Sequence, residues 1–181
     1  MLLLVMTVIT GVIYPLAVTG VGQLLFAHAA NGSVIERNGK PLGSELIGQA
    51  FTDPKYFWPR PSATTPFAYN PSASGASNLG PTNSALRDAV KQRIDALRAA
   101  DPENKTPAPV DLVTASGSGV DPDISPAAAQ YQLARIARVR GMKIDDVTKL
   151  VDCATEGRQF MFLGEPRVNV LKLNLLLDGR W

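Results

Sequence analysis

Apolar residues run from the first position to Phe26 without a charged interruption, and only then do polar positions begin to alternate with them. The stretch MLLLVMTVITGVIYPLAVTGVGQLLF has no Asp, Glu, Lys or Arg, and the first charged side chain is Glu36. A helix from Leu2 to Phe26 would be roughly 37 Å long at ~1.5 Å per residue, enough to cross a ~30 Å hydrocarbon layer. A buried helix of a soluble domain would carry a polar face, and this one has none. The pattern predicts a transmembrane anchor over residues 1–27. Ala27-His28-Ala29 has the small-x-small form of a signal-peptidase site, which leaves a secreted protein released there as a rival. The apolar run is far longer than the ~7–15 residues of a signal h-region and argues for a retained anchor. Pro15 lies mid-span, where it should free a backbone carbonyl and kink the helix. Thr7 and Gly11 form a small-xxx-small pair, with Gly20 and Gly22 beyond. These residues suit both an isolated anchor and a helix docked on other membrane helices. By the positive-inside rule, Arg37 and Lys40 favour the cytoplasm for the side that follows the helix.

Beyond the anchor the periodicity changes. Asn38-Gly39 between short apolar runs predicts a type I′ hairpin, with Val34-Ile35 and Leu46-Ile47 as its strands. Residues 54–81 are rich in Pro, Ser, Ala and Asn, a composition typical of a linker. They also carry Tyr56, Phe57, Trp58, Phe67 and Tyr69, so an ordered irregular loop is the better expectation. Arg60, between two prolines, reads either as a rigidly held cation or as a solvated side chain. Asn83 or Thr82 caps a helix to about Ala100, with Leu86, Val90, Ile94 and Leu97 on one face. Val110 to Thr114 alternates with strand period and runs into Ala115-Ser116-Gly117-Ser118-Gly119. Ser125 and Pro126 then open a helix to about Arg140, ended by Gly141, with Arg135, Arg138 and Arg140 on its exposed face. Ile144, Val147, Leu150, Val151 and Ala154 predict another helix. Gly157 to Gly164 reads as a turn. Pro166 and Gly179 fit helix boundaries around the last segment, so helix is favoured over strand there. The fold class is α+β: one transmembrane helix, then a single domain at 28–181 with about four helices and a few short strands.

Composition narrows the chemistry. Eighteen Lys and Arg against sixteen Asp and Glu give a net charge of +2, too mild to imply nucleic-acid binding. Cys153 is the single cysteine and reads as a small core residue. With His28 the single histidine, neither a zinc site nor a Cys–His dyad is plausible. Strand, glycine turn and helix at 110–126 is the arrangement of many phosphate sites. It lacks the Gly-Lys-Ser/Thr ending of a P-loop, and Asp121 and Asp123 would repel phosphate. A tight structural turn is the leading reading, ahead of a partner contact or a small-ligand site.

ASGSGVDPDISPAAAQYQLARIARVRG (115–141) resembles the C subunit of the Kdp potassium-transporting P-type ATPase, the KdpC family. So do GSELIGQAF (43–51), YFWPRPSAT (56–64), ASNLGPTN (76–83) and FLGEPRVNVLKLNLLLD (162–178). The resemblance covers nearly the whole chain in order, including Gly11 to Pro15 in the anchor. It implies a single-pass inner-membrane protein with its domain on the periplasmic, extracytoplasmic side, against the direction of the flanking charges. The implied partners are a channel-like potassium-binding subunit, an ATP-hydrolysing subunit and a small hydrophobic peptide, with membrane lipid around the helix. The implied role is a non-catalytic accessory subunit. It would stabilise the assembly, raise the ATP affinity of the hydrolysing subunit as a catalytic chaperone, and cover the potassium entrance. It would hold no cofactor or metal of its own, with ATP met only alongside the partner subunit. Ser116, Gly117 and Gln132 are the motif residues to test for nucleotide or partner contact. Gly11 and Pro15 are the expected docking residues of the membrane helix. Tyr56, Phe57, Trp58, Arg60, Arg135 and Arg138 are the expected partner contacts. The alternative is a membrane-anchored periplasmic binding or assembly module of another complex.

Overall fold

The computed structural model describes residues 1–179. Its first element is an apolar helix, Leu2–Leu25, none of it buried. The helix has three parts: α1 (Leu2–Val8), a widened π turn (Ile9–Ile13) and α2 (Tyr14–Leu25). The wide turn falls just before Pro15, whose ring and missing N–H cannot continue an ordinary α turn onto the Gly11 carbonyl. The Tyr14 N–H reaches back five residues to the Ile9 carbonyl. Thr7 and Thr10 donate from their hydroxyls to the carbonyls of Leu3 and Met6, each at 2.8 Å. A Cβ added at Gly11, Gly20 or Gly22 would meet nothing within 4 Å, so these positions form bare grooves on the helix.

After Phe26 the chain makes a one-turn helix, α3 (Ala27–Ala30), and the hairpin β1 (Val34–Arg37) and β2 (Lys40–Ser44). Asn38 and Gly39 both adopt positive φ, +53° and +72°, as a type I′ turn requires. The strand partners differ from expectation. Val34 pairs with Ser44 and Ile35 with Gly43, while Leu46-Ile47 lies outside the ladder. A tight two-residue turn forces near neighbours to pair, and the register shift after Ile35 absorbs one extra residue of β2. Met1–Leu46 is one compact unit, and a second begins at Ile47.

In the second unit, α4 (Ser84–Ala100) starts at Asn83, whose side chain accepts from the Ala85 N–H at 2.9 Å. The strand expected at Val110 to Thr114 is instead a single helical turn, α5 (Val110–Val113). Leu112 and Val113 are both buried while Val110 is exposed, and a strand cannot bury two successive side chains on one face. β3 (Asp123–Ile124) follows, then α6 (Pro126–Arg140), opened by Ser125 and closed by Gly141 at φ +65°. α7 (Ile144–Ala154) buries Val147, Val151 and Ala154. Cys153, expected in the core, is exposed, because the buried stripe passes through Val151 and Ala154. β4 (Thr155–Glu156), β5 (Arg167–Asn169) and α8 (Val170–Leu177) complete the described chain. The last segment is therefore a strand that turns into a helix, with the Asn169 side chain capping it on the Lys172 N–H at 3.1 Å. β5 is the middle of a three-stranded antiparallel sheet, order β3-β5-β4. The core gathers Ile124, Leu133, Ile136, Val147, Val168 and Leu173 from the sheet and helices, and Phe57 from the proline-rich loop.

Candidate functional site

The proline-rich loop is an ordered, integral layer of the domain. Its segment Phe57-Trp58 belongs to no helix or strand, and its backbone needs hydrogen-bond partners that no neighbouring strand provides. Two amide side chains take the place of a strand. Asn174 on α8 accepts from the Phe57 N–H at 2.9 Å and donates to the Phe57 carbonyl at 3.0 Å. Gln132 on α6 does the same for Trp58, at 2.8 and 3.1 Å. Both amides are buried, where an unpaired backbone group would cost about 1–3 kcal/mol.

Two arginines of α6 lock the same segment. Arg135 donates to the carbonyls of Pro54 and Tyr56 and to Gln132 Oε1, and its guanidinium lies 4.7 Å from the Trp58 ring centroid. Burial pushes this guanidinium down to about 10, so it remains a cation at neutral pH. Arg140 donates to the carbonyls of Lys55 and Leu177 and pairs with Asp178 at 2.8 Å, while the Tyr56 hydroxyl donates to the other oxygen of that carboxylate. Arg135 and Arg140 were expected on an exposed face. Arg135 is 2% exposed and Arg140 is largely covered, because α6 uses them to hold the loop. Phe57, expected as a partner contact, is fully buried in the core. Gln132 is 1% exposed, and its oxygen and both amide hydrogens are engaged by Trp58, Arg135 and the Ala128 carbonyl.

The glycine-rich turn closes the other end of the loop. The Ser116 N–H donates to the Pro61 carbonyl, the Gly75 N–H to Ser118 and the Gly48 N–H to Val120. Within the turn, the Gly119 N–H donates to Ser116 Oγ and the Asp123 N–H to Asp121 Oδ1. The Ser116 and Gly119 amides, which could help cradle a phosphate, are thus spent internally. Ser116 is buried and Gly117 is exposed. Arg60 is a held cation, paired with Asp121 at 2.7 Å. Tyr56 and Trp58 are half-buried. Arg138 is exposed and pairs with the buried Asp101 at 2.6 Å and with Glu103 at 3.3 Å. Hydrogen bonding to Asp101 raises the Arg138 pKa above its ordinary value.

The turn expected at Gly157 to Gly164 is present, and its three large apolar residues lie on the surface. The turn between α7 and β5 displays Phe160, Met161 and Phe162, at 77%, 91% and 72% exposure. Gln159 and Leu163 close it through two backbone bonds of 2.9 Å, and Arg158 pairs with Glu165 at 2.6 Å across its base. Phe160 and Met161 both sit at positive φ, +51° and +68°, a conformation that costs side chains of this kind about 1–2 kcal/mol each. The available signal was three large apolar residues in a row at a position where turns are usually polar. Among the described residues no cluster of three or more His, Cys, Asp or Glu could hold a metal ion.

Comparison with known proteins matches residues 1–179 to the family model of the c chain of potassium-transporting ATPase, KdpC. The potassium-transporting ATPase KdpC subunit of Methylococcus capsulatus is 67% identical over 179 residues, 99% of this chain and 94% of that protein. Those of Polaromonas naphthalenivorans and Dechloromonas aromatica are 66% and 60% identical over 178 residues, covering 91% and 93% of those proteins. With an apolar spanning helix followed by a mixed helix–sheet domain, and a match over its full described length, the chain belongs to the KdpC family of potassium-transporting ATPase subunits.

Proposed function

We propose that this chain is the non-catalytic accessory subunit of an ATP-driven potassium importer, anchored by Leu2–Leu25 with its domain on the periplasmic side of the inner membrane. The full-length family match carries the reading. Its partners are the channel-like potassium-binding subunit, the ATP-hydrolysing subunit and the small hydrophobic peptide. It stabilises that assembly, covers the potassium entrance and raises the ATP affinity of the hydrolysing subunit. A periplasmic domain cannot touch cytoplasmic ATP, so this effect is an allosteric coupling through the membrane helix, of order ~1–3 kcal/mol or roughly 5–150-fold in affinity. The bare grooves at Gly11, Gly20 and Gly22 and the wide turn before Pro15 support close docking of that helix. Direct nucleotide contact through Ser116, Gly117 and Gln132 is disfavoured, since Gln132 would have to release Trp58 and Arg135.

Two measurements test this reading. Removing the subunit from the purified complex should raise the KM for ATP at least five-fold, and adding it back should restore the value. An unchanged KM sinks the coupling. The exposed turn is the surface most suited to a partner, because Phe57 and Arg135 are inside. Phe160→Ser with Phe162→Ser should weaken co-purification with the other subunits at least ten-fold, since burying a Phe contributes about 1.5–3 kcal/mol. Both side chains are largely solvated in the chain by itself, so its own thermal stability should hold or rise. Undiminished co-purification places the contact elsewhere.

A further inference from the structure

A groove of about 410 Å³ opens between the proline-rich loop and α4 and α5, walled by Phe51, Trp58, Pro61, Tyr69, Leu97 and Leu112. That volume is in the ~300–1,000 Å³ range of small-molecule sites, which are mostly apolar with a few placed polar groups. The polar groups of this wall are mostly committed elsewhere. The Trp58 indole N–H donates to the Asp53 carbonyl, the Tyr69 hydroxyl to the Arg60 carbonyl and the Ser62 hydroxyl to the Gly119 carbonyl. Burial, and then the charge of Asp121, push the Tyr69 hydroxyl well above its ordinary value, so it stays neutral.

Arg93 differs. It is the only charged side chain among the described lining residues, and it is half-buried. Its single bond runs from Nη1 to the Val113 carbonyl at 2.8 Å, and no carboxylate pairs with it among the described residues. A guanidinium presents five N–H donors in a fork that matches a carboxylate, and this one has most of them unspent beside an apolar wall. Burial pulls its pKa below the ordinary value, the mark of a cation that lacks compensation. One positive charge in an otherwise apolar groove complements one negative charge on an apolar body.

We propose that this groove is a binding site for a small amphiphilic carboxylate, with the carboxylate on Arg93 and the hydrocarbon tail against Trp58, Tyr69 and Leu112. Trp58 reports occupancy directly. The test uses the full chain in lipid nanodiscs with Trp181→Phe, which leaves Trp58 as the sole tryptophan of the sequence. Octanoate should change Trp58 fluorescence saturably. Octanol, equal in length but uncharged, should need at least ten-fold more, and Arg93→Gln should weaken octanoate at least ten-fold. Arg93→Lys, which keeps the charge but not the fork, should fall between. Equal responses to octanoate and octanol in the parent protein would overturn the site whatever the variants do. So would an unchanged response in a folded Arg93→Gln protein. A short apolar peptide with a free carboxy terminus that binds where octanoate does not would also overturn it, in favour of a protein segment.

Discussion

Asn174→Ala should destabilise the domain by about 2–5 kcal/mol, because it strands both the N–H and the carbonyl of a fully buried Phe57. For a domain of this size the fall in Tm should be roughly 5–20 °C. Asn174→Asp discriminates between lost packing and lost hydrogen bonds. It keeps the shape and the acceptor for the Phe57 N–H, yet sets an oxygen against the Phe57 carbonyl and buries a charge. It should be at least as damaging as the alanine variant. Lys149→Ala, on an exposed face of α7, should stay within about 0.5 kcal/mol. Thermal unfolding of the full chain, followed by near-UV circular dichroism, reads all three. A loss below 1 kcal/mol for Asn174→Ala would mean that water can replace the amide, and that the loop is less tightly held than its geometry implies.

The second large effect is expected at Gly119. Its φ of +69° favours glycine, and a Cβ there would stand 2.5 Å from Thr64 Cγ2 and 2.7 Å from the Gly75 carbonyl oxygen. Left-handed strain of about 1–2 kcal/mol adds to an overpacking cost of about 1–3 kcal/mol, so Gly119→Ala should lose about 2–5 kcal/mol. The neighbouring Gly117 is the internal control. Its added Cβ would meet nothing within 4 Å and its φ is unremarkable, so Gly117→Ala should be nearly silent. Hydrogen exchange should show the damage of Gly119→Ala concentrated in the proline-rich loop. Equal effects at the two glycines would remove the close approach from the explanation.

Local signals in the sequence identified α4, α6 and the hairpin turn, because Asn83, Ser125, Gly141 and Asn38-Gly39 act on backbone within a few residues of themselves. They failed where the deciding partner is remote. Arg135 looked like a surface cation by helical periodicity, yet its partners are the carbonyls of Pro54 and Tyr56, some 80 residues earlier. Charge is usually a sign of solvent, and only the tertiary fold shows a loop whose unpaired backbone makes a buried cation useful. Val110 to Thr114 failed for a different reason, since five residues are too few to separate a strand from one helical turn. The nucleotide motif was weakened by the same loop. Ser116 faces Pro61, and Gln132 mimics a strand edge for Trp58. Family resemblance supplied the order of the segments, but not which side chains face outward.

The amide of Asn174 also sets a timetable. It reaches its partner Phe57 across 117 residues of chain, and Tyr56 meets Asp178 across 122. An emerging polypeptide therefore carries its aromatic loop long before the helix that must receive it exists. Until α8 arrives, Phe57 has no pocket and its backbone no partner, so the domain should complete its fold only near the end of synthesis. During that interval the loop is exposed apolar chain. A holding factor, or early contact with another chain, would shorten the exposure.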